Sequence, residues 1–109
     1  MSKQFKQQKC LPCELGAPPM EPGEVQQALR QIGPQWRDEG ARQISRQFVF
    51  RDFAAAMTFV NAVAALAEDE GHHPDLVINY NKVLVALTTH AASGLTANDF
   101  IVAAKIDLI

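Results

Sequence analysis

Apolar residues along this 109-residue chain change their spacing several times, and each change marks an element. Val25, Ala28, Leu29 and Ile32 fall at i, i+3, i+4 and i+7, the single apolar face of a short helix that starts near Pro22. Gly33-Pro34 stops it, because Gly accepts a left-handed C-terminal conformation and Pro cannot continue the ladder. From Trp36 to Phe50 the period shortens to two, with Ile44, Phe48 and Phe50 alternating against Ser45, Gln47 and Arg51. Asp38-Glu39-Gly40 breaks that stretch, which predicts two strands and a turn. Asp52 then caps a long helix carried by Phe53, Ala56, Met57, Val60, Val63, Ala64 and Ala67. Phe59, Ala62 and Leu66 give this helix a second apolar face, which predicts a partner surface and hence an oligomer.

After Gly71 the segment from Asp75 to His90 is rich in β-branched residues and divided by Asn81-Lys82, the pattern of a hairpin. Thr96-Ala97-Asn98-Asp99 has the form of a capping box, and Val102, Ala103, Ile106 and Ile109 mark a closing helix. The order α-β-β-α-β-β-α predicts an α+β fold, a four-stranded antiparallel sheet with helices packed on one face. Residues 1–20 carry no period, only lysines, glutamines and the Pro12, Gly16, Pro18 and Pro19 breakers, and read as a flexible N-terminal arm preceding one domain over 21–109.

Composition narrows the function classes. Ten basic and twelve acidic residues leave a net charge of −2 with no basic block, which argues against unaided binding to nucleic acid. No apolar run is long and uncharged enough for a membrane span, and Met1 to Lys6 lack the apolar core of a secretory signal, so a cytoplasmic protein is expected. Cys10 and Cys13 stand in a CxxC spacing that suggests metal or redox chemistry more than a staple. One such pair supplies only two of the four ligands of a structural zinc site, and it lacks the helix start of a redox motif.

The chemistry concentrates in the three histidines. His72 and His73 precede the second hairpin and His90 ends it, so antiparallel pairing delivers them to the same end of the sheet. Glu68 lies one helical turn before His72, and Asp99 follows near a helix start. Imidazoles beside carboxylates suit general acid–base work near neutral pH. Each residue also has a plainer reading: surface imidazoles, Asp99 as the capping partner of Thr96, and Glu68 as a solvated charge. Three imidazoles and a carboxylate could alternatively hold zinc or iron, although no familiar ligand spacing is present.

The string Glu68-x3-His72-His73-Pro74-x5-Tyr80-x9-His90-x8-Asp99 resembles the motif of the pterin-4a-carbinolamine dehydratases, and the likeness extends from about Glu21 to the C-terminus. The resemblance implies a four-stranded sheet with helices on one face, assembled as a homodimer or homotetramer. It also implies dehydration of a 4a-hydroxytetrahydropterin to quinonoid dihydropterin, downstream of an aromatic amino-acid hydroxylase and with no metal or other cofactor. Carried over residue by residue, His72 and His90 are expected to act as acid and base and His73 to orient the pterin. Pro74, Glu68 and Asp99 are expected to support the imidazoles or the substrate. Leu76 departs from the aromatic residue that some relatives carry, and the Cys10–Cys13 arm resembles extensions of some bacterial members. Relatives that serve as transcriptional coactivators or assembly factors make a non-enzymatic binding role the alternative.

Overall fold

A computed structural model describes residues 4–12 and 18–109. Its elements are α1 (Pro22–Leu29), β1 (Arg37–Glu39), β2 (Gln43–Val49), α2 (Phe53–Glu70), β3 (Asp75–Asn79), β4 (Lys82–Leu87) and α3 (Ala97–Ile106), with 3-10 turns at Phe5–Gln7 and His90–Ala92. The strands form one antiparallel sheet in the order β1-β2-β4-β3. This is the α+β architecture expected from the hydrophobic periods. The second hairpin enters the sheet by β4, which pairs with β2 from Ile44↔Leu87 to Val49↔Lys82 and leaves β3 at the edge.

Alternation along the central strands builds the core. Ile44, Val83, Val85 and Leu87 are buried against Ala56, Phe59, Val60 and Val63 of α2, and Val25 of α1 and Phe100 of α3 join the same cluster. Each of these larger side chains contributes roughly 1.5–3 kcal/mol by leaving water. Phe59 packs between Phe48 and Phe50, with ring centroids 4.5 and 5.0 Å away. The second apolar face of α2 therefore does not await a partner in the way its sequence suggests: Phe59 is covered by the chain's own sheet, and Ala62 and Leu66 are half-buried. Exposed apolar side chains include Val49, Val77 and Leu84 on the outer face of the sheet and Phe53 at the start of α2.

Two turns differ from their expected places. The second hairpin turns at Tyr80-Asn81, not at Asn81-Lys82, because Asn81 is clamped to the end of β2: its side-chain amide donates to the Phe50 carbonyl at 2.8 Å, and its own carbonyl accepts from the Phe50 N–H. Asp38 and Glu39 belong to β1, and the first turn falls at Gly40-Ala41, both with positive φ, where Asp38 accepts from the Ala41 N–H.

The N-terminal segment has contacts that no period announces. Phe5 stacks on Phe100 at 5.7 Å, and residues 9–11 lie along the ends of α2 and α3. With this cover on one side and the core on the other, α3 is buried at every position from Asn98 to Ala104. Cys13 lies outside the described residues.

Candidate active site

The site is built where α2 ends, β4 ends and α3 begins. Asp52 caps α2 by accepting from the Ala55 N–H at 2.8 Å, and after eighteen helical residues the helix stops at Gly71, which adopts φ 68°. Glycine takes that left-handed conformation without the Cβ penalty. The N–H groups of Gly71 and His72 both return to the Ala67 carbonyl, so His72 leaves the helix axis and turns into the protein. It is 6% exposed.

There it meets Asp99. Thr96 and Asp99 form the capping box of α3, with the Thr96 N–H donating to Asp99 Oδ2 at 2.9 Å. The same oxygen accepts from the Thr89 hydroxyl at 2.7 Å, and Oδ1 lies 2.6 Å from His72 Nε2. Asp99 is wholly buried, so its carboxylate serves the helix cap and the imidazole at once. A backbone N–H can only donate, which commits Oδ2 as an acceptor. A carboxylate beside Nε2 favours the tautomer that carries the ring proton there and leaves Nδ1 as the acceptor nitrogen.

The other candidates surround this pair. His73 is exposed and lies 3.4 Å from Glu68, also exposed, so Glu68 reaches His73 and not His72. A surface pair of this kind is worth about 0–1 kcal/mol. Pro74, half-buried, holds the chain extended into β3. His90 opens the 3-10 turn after β4 and is exposed, with its carbonyl accepting from the Ser93 N–H. Asp75 pairs with Ala86, so the chain around His72 and His73 and the chain around His90 lie at the same end of the hairpin, as the antiparallel reading expects. Asp99 ties them together, bonded to His72 on one side and to Thr89, the neighbour of His90, on the other.

Two members of this region escaped the sequence reading. Thr89 continues the inward alternation of Val83, Val85 and Leu87, which marks it as an inward polar residue. Glu70 continues the buried face of α2 after Val63 and Ala67, and is 8% exposed. It accepts from Lys105 Nζ at 2.5 Å and from the Cys10 N–H at 2.9 Å, with Lys9 at 3.5 Å. Burial alone would raise its pKa, but the Lys105 and Cys10 hydrogen bonds and the two lysine charges prevail and hold it at about 2. Burial, together with the Glu70 charge, pushes the Cys10 thiol up to about 12, so it donates towards the Asn98 carbonyl, 3.6 Å away. Among the described residues no group of His, Cys, Asp and Glu side chains is arranged to hold a metal ion, and no helix is long and apolar enough to cross a membrane.

Comparison with known proteins gives a family. The model for pterin 4 alpha carbinolamine dehydratase matches residues 18–109. A protein of Nitrosomonas eutropha named "Putative pterin-4-alpha-carbinolamine dehydratase" is 46% identical over 101 residues, covering 93% of this chain and 88% of its own. One of the same name from Alkaliphilus metalliredigens is 39% identical over 101 residues, covering 93% and 91%. The crystal structure of a transcriptional coactivator/pterin dehydratase from Brucella melitensis superposes with TM-score 0.77 at 35% identity, over 83% of this chain and 96% of the other. A pterin dehydratase-like protein described as a RuBisCO assembly factor in the alpha-carboxysome superposes with TM-score 0.59 at 26% identity, over 68% and 87%. With a family model spanning nearly the whole chain and relatives of this similarity, the chain belongs to the pterin 4 alpha carbinolamine dehydratase family.

Proposed function

We propose that this protein dehydrates a 4a-hydroxytetrahydropterin to quinonoid dihydropterin and water, using its histidines as acid and base. The observation that carries the reading is the buried His72–Asp99 pair, 2.6 Å apart, at the same end of the hairpin as His73 and His90. Hydroxide leaves poorly, so the 4a-oxygen must be protonated as its bond to carbon breaks, while the adjacent ring nitrogen loses a proton as the C=N bond forms. His72 takes the nitrogen proton, and Asp99 stabilises the imidazolium that results. His90, exposed beside the same site, delivers the proton to the departing oxygen. His73 and Pro74 orient the pterin, and Glu68 holds His73.

In this reading the protein acts in the cytoplasm, recycling the product of an aromatic amino-acid hydroxylase. It works as a homodimer or homotetramer that covers the outer sheet face at Val77 and Leu84. Formation of quinonoid dihydropterin by the purified protein with a coupled hydroxylase tests the activity, and a rate no greater than that of buffer would sink it. The two solved relatives described as a coactivator and an assembly factor favour a second reading, a binding protein without turnover. Co-purification of a stoichiometric partner with no dehydration would establish that reading instead.

A further inference from the structure

The N-terminal segment touches the chain beside each of the three central site residues. Two residues before His72, the Glu70 carboxylate accepts from the Cys10 N–H at 2.9 Å. One residue before Asp99, the Asn98 side-chain amide closes two hydrogen bonds with the backbone of Leu11, accepting from its N–H at 3.0 Å and donating to its carbonyl at 2.7 Å. In the loop that opens with His90, the Leu95 carbonyl accepts from the Met20 N–H at 2.7 Å, and Pro19 packs so close to Gly94 that a Cβ there would lie 2.8 Å away. Phe5 on Phe100 and Lys9 beside Asp69 and Glu70 anchor the segment further. Most of these contacts engage backbone groups of the segment, so they fix its path and not merely its proximity.

We propose that residues 4–11 and 19–20 act as a positioning strap that holds the turn before His72, the start of α3 at Asp99 and the His90 loop in one mutual arrangement. Its kinetic consequence rests on the acid–base reading above. Its structural consequence does not. Undocked, the segment withdraws the Cys10 N–H and Lys9 from a buried carboxylate and both Leu11 partners from Asn98, and water enters beside the His72–Asp99 bond. Acid–base geometry tolerates little of this, since a displacement of about 1 Å can cost on the order of a hundredfold in rate.

The test uses the full chain and two perturbations. Asn98→Ala removes both bonds to Leu11, while Phe5→Ala combined with Lys9→Glu loosens the segment from its own side and leaves the site residues untouched. Asp38→Ala, at the first hairpin turn, serves as a destabilised comparison. The direct readout is solvent exchange of the His72 imidazole N–H followed by proton NMR, which needs no substrate. Exchange is expected to speed up roughly tenfold or more in both strap variants and to stay at the wild-type rate in Asp38→Ala. Turnover is expected to fall roughly tenfold with KM within about twofold, the split that marks lost positioning and not lost binding.

Wild-type N–H exchange in folded strap variants, or equal acceleration in Asp38→Ala, overturns the proposal. Should Asn98→Ala fail to fold, the Phe5 and Lys9 variant carries the test, because Lys9 is exposed and Phe5 is only half-buried at the edge of the core. Should the wild-type protein show no dehydration, the proposed function falls while the exchange rates still decide the strap.

Discussion

Replacing Asp99 by Asn changes one atom and reverses the logic of the site. Oδ2 faces the Thr96 N–H and the Thr89 hydroxyl, so the amide oxygen of Asn must occupy that place and its NH2 must turn towards His72. Two donors then face each other unless His72 shifts its proton from Nε2 to Nδ1. The nitrogen left to meet substrate becomes a donor where the proposed base requires an acceptor, and the carboxylate that would stabilise the imidazolium is gone. The charge-assisted bond lost is worth roughly 1.5–3 kcal/mol, which for a domain of this size lowers Tm by roughly 4–8 °C per kcal/mol. Loss of the base and its orienting charge is expected to reduce kcat by on the order of 10²–10⁴-fold. The assay pairs turnover with 15N NMR of the imidazole, which distinguishes the two tautomers. A folded Asp99→Asn protein with turnover within about threefold of wild type would refute the assignment of Asp99 and His72 as a working pair.

Three further outcomes are expected. Glu70, with an ordinary pKa of 4.5 held at about 2 in the folded chain, stabilises the protein above the unfolded value and loses that contribution as pH falls from about 4.5 towards 2. The full difference is on the order of 3 kcal/mol, so denaturant unfolding of Glu70→Gln should show a visibly flatter acid limb than wild type, and identical limbs would remove this role. The Cys10 thiol, raised to about 12, is expected in a Cys13→Ser variant to alkylate at pH 8 roughly a hundredfold or more slowly than an open cysteine, and ordinary reactivity would contradict its burial. Gly71→Ala places a Cβ at φ 68° and is expected to lower stability by about 1 kcal/mol, measured as a shifted urea midpoint, with no loss predicting a different turn.

Local signals in the sequence carry most of the fold. The apolar period of α2 from Phe53 to Ala67 and its Asp52 cap are found where the residues place them, because each depends on neighbours a few positions away. The hairpin turn moves by one residue because Asn81 bonds to Phe50, a contact between segments distant in sequence. The same limit governs the site. His72, His73, His90 and Asp99 announce themselves by type and spacing, yet the sharing of one buried carboxylate between a helix cap and an imidazole is a tertiary fact. Thr89 and Glu70 were legible as polar residues on inward faces. The docking of residues 9–11 was not, since backbone groups meeting Asn98 and Glu70 leave no period to find.

If two imidazoles at one end of this hairpin perform the proposed dehydration, stopped-flow formation of quinonoid dihydropterin by wild type, His72→Ala and His90→Ala must separate the three proteins. Wild type is expected to exceed the buffer rate, and each variant, folded by circular dichroism, to fall by roughly a hundredfold or more. Variants that both turn over at the wild-type rate would contradict it.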